Sequence, residues 1–156
     1  MFKSGEKVNN ITLKSLEEFL YAVDKLFPIP LSEKTNLHEF ARKLIDRATI
    51  FYETDGEKII SLVAGYIDNA FDGIGYISIV ATLPEMRRRG IAKKLITEFL
   101  NTAEKNGLSA VHLYTDKANK NALKLYDSFG FESYKLKNEL RPADVHLIVR
   151  FRSVKK

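Results

Sequence analysis

The chain has 156 residues, 45% of them hydrophobic, with ten phenylalanines and seven tyrosines, enough for one well-packed core. Its formal charge of +5, from 25 Lys and Arg against 20 Asp and Glu, is too modest for a dedicated polycation. The absence of cysteine excludes disulfides, thiolate zinc sites and cysteine nucleophiles. No stretch approaches the length of a membrane span, and the opening "MFKSGEKVNN" has no apolar core of signal-peptide length, so a cytoplasmic protein with no membrane partner is expected.

In chain order, Leu13, Leu16, Leu20, Val23 and Phe27 form a helical stripe within Ile11–Phe27, with Thr12 or Ser15 as its cap and Pro28 and Pro30 as its stop. A second helix is predicted from Asn36, with Glu39 spaced as in a capping box and Leu37, Phe40, Ala41, Leu44 and Ile45 on its apolar face. The period then changes. Ile50–Thr54 and Lys58–Asp68 flank Asp55-Gly56, a strong hairpin signal, and a further turn at Asn69–Gly73 leads into a strand over Ile74–Thr82 that Pro84 closes. A long amphipathic helix over Arg89–Asn106 ends at Gly107. A strand at Ala110–Thr115, a helix at Asn119–Phe129 stopped by Gly130, and strands at Phe131–Leu136 and Val145–Phe151 complete the chain. There is no repeat or linker, so a single α/β domain with a mixed sheet is expected over residues 1–156.

The passage from strand to helix at Thr82–Leu95 carries the most chemistry. Arg87, Arg88, Arg89, Lys93 and Lys94 surround Gly90 with no acidic residue among them. A helix start offers unpartnered N–H groups and a partial positive charge, which suits a phosphate, and glycine lets the backbone turn tightly or approach a ligand. Ala92 keeps the next turn small. On these residues alone an ordinary βα turn with solvated charges also stands, while insertion into DNA has no preceding helix-turn-helix to support it. Asn119 is equally a helix cap, and Tyr126 shares a helical face with Ala122, Leu125 and Phe129, as a core aromatic would.

The run Arg87-Arg88-Arg89-Gly90-Ile91-Ala92 matches [QR]-x-x-G-x-[GA]. Further on, Asn119, Ala122, Tyr126, Gly130 and Phe131 match N-x-x-A-x-x-x-Y-x-x-x-G-F. With both motifs in order, the chain resembles the GNAT superfamily of N-acetyltransferases. The resemblance implies a single-domain fold with a mixed, mostly antiparallel central sheet flanked by helices. Residues 59–151 would form the acetyl-CoA-binding core, and residues 1–48 the variable, substrate-side helices. It further implies that the backbone of Val80, Ala81 and Thr82 pairs with the pantetheine arm. The amides of Arg88, Arg89, Gly90, Ile91, Ala92 and Lys93, beside Arg87, would hold the pyrophosphate. Asn119 would bond the pantetheine or stabilise its segment, and Tyr126 would face the thioester sulfur.

The implied reaction is direct attack of an amine on the acetyl thioester, and its two proton demands differ in size. A thiol of pKa about 8.5 leaves as thiolate at pH 7 with a mismatch of about 2 kcal/mol, whereas an alkylamine of pKa about 10.4 must first lose a proton at about 4.6 kcal/mol. A base, or a water chain to one, therefore matters more than the acid that Tyr126 supplies. In relatives that acetylate protein N-termini a glutamate often precedes the Asn motif; here Tyr114 stands at that place. His112 shares a strand face with Tyr114 and titrates in the right range, so His112 is the candidate base, with Glu85 and Asp116 behind it. The departure mildly disfavours a protein N-terminal substrate, and a small-molecule amine is the leading acceptor. The alternatives are a protein N-terminus or lysine, or an acetyl-CoA-binding regulatory module without turnover. No nucleic-acid partner is expected, homodimerisation is left open, and the three histidines, His38, His112 and His146, lie on separate predicted elements with no metal-ligand spacing.

Overall fold

The computed structural model describes residues 11–68 and 72–152, so most of the turn expected at Asn69–Gly73 lies outside the described residues. Helix α1 (Leu13–Val23) starts where Thr12 Oγ1 accepts from the Ser15 amide at 3.0 Å. It ends four residues before Phe27. Asp24 is buried, and its carboxylate accepts from the Ser32 amide and hydroxyl, each at 2.7 Å, which folds the Pro28–Pro30 segment back onto the helix end. Helix α2 (Leu37–Arg47) is capped by Asn36, whose Oδ1 accepts from the Glu39 amide at 2.9 Å.

Strands β1 (Thr49–Asp55) and β2 (Lys58–Tyr66) pair around the left-handed Gly56, and β3 (Ile74–Thr82) returns antiparallel to β2. Helix α3 (Ile91–Lys105) crosses over to β4 (Ala110–Thr115), which lies parallel to β3. Helix α4 (Lys120–Ser128) and strands β5 (Glu132–Ser133) and β6 (Val145–Arg150) follow. The sheet order is β1-β2-β3-β4-β6-β5 with a single parallel pair, the mixed and mostly antiparallel sheet expected.

Strand β2 is buried along nearly all its length because helices cover both faces of the sheet, which is why its sequence runs apolar without alternation. Leu16, Leu20 and Leu44 of α1 and α2 pack on Leu62, Ile79 and Ala81. On the opposite face Leu95, Ile96 and Phe99 of α3 pack on Val63, Ile77, Val111 and Leu113. Each leucine, isoleucine, valine and phenylalanine among them contributes roughly 1.5–3 kcal/mol on burial. The fifth strand is much shorter than the predicted Phe131–Leu136. After Tyr134, whose amide donates to the His146 carbonyl at 2.8 Å, the chain leaves the sheet edge as a loop, and side-chain bonds from Glu139 anchor that loop.

Candidate functional site

The sheet opens at Ser78. Opposite it the register jumps from Ala64↔Ile79 to Gly65↔Ile77, so Ser78 is the extra residue of a β-bulge. Gly65 is needed there: a Cβ would lie 2.1 Å from the Tyr76 carbonyl oxygen and 2.8 Å from Phe99 Cζ. Strands β3 and β4 pair only from Ile74↔Ala110 to Ile77↔Leu113. Beyond the bulge β3 stays paired with β2 alone, and Val80, Ala81 and Thr82 turn their other edge to a cleft.

The cleft leads into a groove of about 740 Å³ lined by Val80–Thr82, Arg87, Arg88, Gly90–Lys93 and Asn119. Arg88 and Gly90 are both left-handed, at φ 66° and 77°, and a backbone curled in this way turns successive N–H groups toward one point. Apart from its chain neighbours, a Cβ on Gly90 would meet no atom of the described residues within 4 Å, and Gly90 lines the groove. Among the described residues no side chain caps the start of α3, whereas Thr12, Asn36 and Asn119 cap α1, α2 and α4. The first-turn amides of α3 therefore face an electropositive groove without a side-chain partner.

The five cations divide. Arg87, Arg88 and Lys93 line the groove; Arg87 also donates from Nε to the Thr82 carbonyl at 3.2 Å, which ties the turn to the end of β3. Arg89 and Lys94 do not line the groove, and Arg89 reaches back to the Glu85 carbonyl at 3.5 Å. These residues fit an elongated anionic ligand: an unpaired strand edge for an amide-bearing arm, then N–H groups and cations for phosphates. Asn119 is a cap as well as a groove residue, its Oδ1 accepting from the Ala122 amide at 3.3 Å.

A second pocket of about 550 Å³ adjoins the groove through Val80, Asn119, Ala122 and Leu125. Tyr126 lines it, buried and packed on Phe131 with ring centroids 5.6 Å apart, and burial pushes its phenol up, so it stays protonated at neutral pH. Tyr66, Tyr76 and Tyr114 form the aromatic wall, with Asp116 and Arg141 at its margin. Asp116 already accepts from the Ala118 amide at 2.8 Å, and Glu85 is exposed beside Lys58, lining neither cavity.

His112 lines neither cavity. It stands opposite Tyr76 in the β3–β4 register, with ring centroids 4.9 Å apart, behind the aromatic wall. Burial, then the neighbouring His146, holds it below the usual histidine range. The two histidines expected on separate elements in fact meet: His112 Nδ1 lies 2.7 Å from His146 Nε2, and His146 Nδ1 lies 2.7 Å from Glu139 Oε2. The Tyr114 hydroxyl donates to the other oxygen of Glu139. That bond and the one from His146 hold the Glu139 carboxyl down at about 2, while burial and Glu139 push the Tyr114 phenol up to about 12. Among the described residues no group of three His, Asp or Glu is placed to hold a metal.

Sequence reasoning missed Tyr66, Tyr76, Glu139 and His146. Tyr76 was accessible, since it sits on the strand that leads to the basic turn. Glu139 and His146 were not, because the pairing of β6 with β4 leaves no local signal.

The family model described as "Acetyltransferase (GNAT) family" matches residues 16–131. The chain is 44% identical over 64 residues to GCN5-related N-acetyltransferase 4, chloroplastic, of Arabidopsis thaliana, covering 41% of this chain and 22% of that protein. It is 33% identical over 78 residues to N-alpha-acetyltransferase 50 of Danio rerio, covering 47% of this chain and 46% of the relative. The matches thus span from about a fifth to about half of the length of these curated relatives. In fold it is similar to PaiA N-acetyltransferase from Thermoplasma acidophilum in complex with coenzyme A, with a TM-score of 0.70 at 14% identity over 94% of this chain and 96% of the other. The match to the family model extends over most of the chain, from α1 through the basic turn to the end of the Asn119–Phe131 motif, and on that ground the chain belongs to the GNAT family of acetyltransferases.

Proposed function

We propose that the protein transfers the acetyl group of acetyl-CoA to the primary amine of a small molecule. The observation that carries the cofactor half is the uncapped start of α3, with its curled, cation-flanked backbone, next to the unpaired edge of β3. Acetyl-CoA bound there supplies the acyl thioester. Val80–Thr82 hold the pantetheine arm along the strand edge, and Arg87, Arg88, Lys93 and the amides of Arg88–Lys93 hold the phosphates. The acceptor half rests on the adjoining pocket, whose volume of about 550 Å³ and aromatic wall suit a small ligand.

In this reading the acceptor enters as an ammonium ion and gives one proton to His112, through the Tyr76 hydroxyl or a water, since His112 lies one ring behind the wall. The free amine attacks the thioester carbonyl carbon; a C–N bond forms and the C–S bond breaks. A second proton leaves the nitrogen to solvent, while Tyr126 protonates the departing sulfur and is reprotonated in turn. The products are the acetamide and coenzyme A. A neutral His112 and a protonated Tyr126 are the forms these roles require, and both follow from burial.

A second reading, acetylation of a protein N-terminus, is favoured by the likeness to N-alpha-acetyltransferase 50. Thiol release from acetyl-CoA across small amines and short peptides separates the two. Turnover of small amines with no peptide activity supports the first, and the reverse supports the second. No release with any acceptor, in a protein that binds acetyl-CoA, would leave a binding module. Equal affinity for acetyl-CoA and acetyl-pantetheine, which lacks the nucleotide phosphates, would remove the phosphate site.

A further inference from the structure

The hydrogen-bonded chain behind the aromatic wall has a directionality that follows from its acceptor end. Glu139 is an ionised carboxylate and accepts only, so His146 Nδ1 must donate to it. When His146 carries only that one proton, its Nε2 is bare and His112 Nδ1, 2.7 Å away, is the donor. That leaves His112 Nε2 as the unprotonated nitrogen. The bonds are held from three directions: β4 carries His112, β6 carries His146, and the 134–144 loop carries Glu139, whose Oε1 also accepts from the Leu140 amide at 2.9 Å.

We infer that Glu139 and His146 are positioning residues of a two-histidine proton relay that makes His112 Nε2 the proton acceptor of the transfer and carries the resulting charge away from the pocket. This rests on the reading of His112 as the base. A proton taken at His112 Nε2 lets the Nδ1 proton move to His146 Nε2. His112 is left neutral in its other tautomer, and His146 becomes an imidazolium against the Glu139 carboxylate. No atom is gained or lost beyond the single proton. The positive charge ends where a counter-ion stands ready, rather than between Tyr76 and Tyr114, where burial disfavours it. Among the described residues, the charged and titratable groups facing the two rings are Asp72 and Tyr76 on the β3 side, Tyr114 on β4, Tyr134 after β5, and Glu139 from the loop, while Arg141 of the same loop lies over the Tyr114 ring. Of these, among the described residues, only Glu139 hydrogen-bonds to the His146 ring at Nδ1.

Nitrogen-15 NMR of the histidine rings in the unmodified protein tests the relay without any variant. Near neutral pH, His112 should be protonated at Nδ1 alone. On acidification, His146 should become doubly protonated as His112 switches to Nε2–H. Double protonation of His112 with His146 unchanged overturns the relay. In kinetics, Glu139→Gln should leave acetyl-CoA affinity unchanged, lower kcat/KM at neutral pH by about 10–100-fold and move its acid limb to lower pH by about 1 unit, because the imidazolium loses its counter-ion. Glu139→Asp should recover most of that loss. A wild-type pH profile for Glu139→Gln, with His112→Ala inactive, overturns the relay and spares the base. Wild-type rates for His112→Ala overturn the base itself.

Discussion

The groove and the pocket share a wall but are assembled in different ways. The groove is made largely of two contiguous segments, Val80–Lys93 and Ala118–Leu125, and much of what it offers a ligand is backbone. The pocket draws on the segment after α1, on α2, on the ends of β2 and β4, on the middle of β3, on α4 and on the 134–144 loop, and what it offers is side chains. A site built from backbone at one turn tolerates change elsewhere and is sensitive to local conformation. A site built from side chains on many elements depends on every strand keeping its register. Substitutions at positions belonging to one region, the other or both test this contrast.

The largest effect is expected from Gly65→Ala, because both regions need the bulge it faces. A Cβ placed 2.1 Å from a backbone oxygen forces β2 and β3 apart. Chemical denaturation should show a loss of about 3 kcal/mol or more. A variant of normal stability that still binds acetyl-CoA would mean that the opening of the sheet does not depend on this register jump.

Tyr126→Phe removes the hydroxyl assigned to the proposed chemistry and spares the packing, since the ring remains against Phe131. Turnover should fall by about 10–1,000-fold with acetyl-CoA affinity unchanged, and raising the pH should not restore it. His112→Ala should instead recover in part at high pH, where more of the amine is free. Unchanged turnover for Tyr126→Phe would return this residue to the core alone.

Gly90→Val probes the groove by itself. Apart from its chain neighbours, no atom of the described residues lies within 4 Å of the new Cβ, but a β-branched residue at φ 77° carries strain of roughly 1–2 kcal/mol and projects into the space proposed for the ligand. Calorimetry should show acetyl-CoA affinity reduced by at least about tenfold while the protein remains folded. Full affinity would mean that Gly90 serves only to enter the helix.

Asn119→Ala should lower stability by about 1 kcal/mol through loss of the α4 cap, read from the thermal midpoint. A drop in acetyl-CoA affinity beyond that would add a contact to the ligand. The smallest effect is on acid stability. The Glu139 carboxyl is held at about 2, against an ordinary 4.5. Its contribution to stability is complete above the ordinary value and disappears as pH falls through the lower one. Acid unfolding of Glu139→Gln should therefore lack the part of the transition that wild type shows between about 4.5 and 2.

Much of the fold was legible in the residues. Strands β3 and β4 run over the predicted Ile74–Thr82 and Ala110–Thr115, and Thr12, Asn36 and Asn119 cap the helices they were expected to begin. These features rest on neighbours three or four residues apart, or on a period of two, so the local chain encodes them. The cation-rich glycine turn was legible for the same reason. Its division of labour was not: which guanidinium faces the groove depends on where the end of β3 places its carbonyl.

What only the tertiary structure decided are the features that join residues far apart in sequence. The bulge at Ser78 exists because Gly65 on the adjacent strand lacks a side chain. The predicted fifth strand shrank to Glu132–Ser133 as the following loop bends back to bond Tyr114 and His146 through Glu139. His112 read as a lone strand histidine because the period of a strand reveals its faces but not its partners. The role proposed for it depends on His146, brought beside it by the pairing of β6 with β4. Local periodicity determines which elements form, while the register between elements distant in sequence determines which side chains meet.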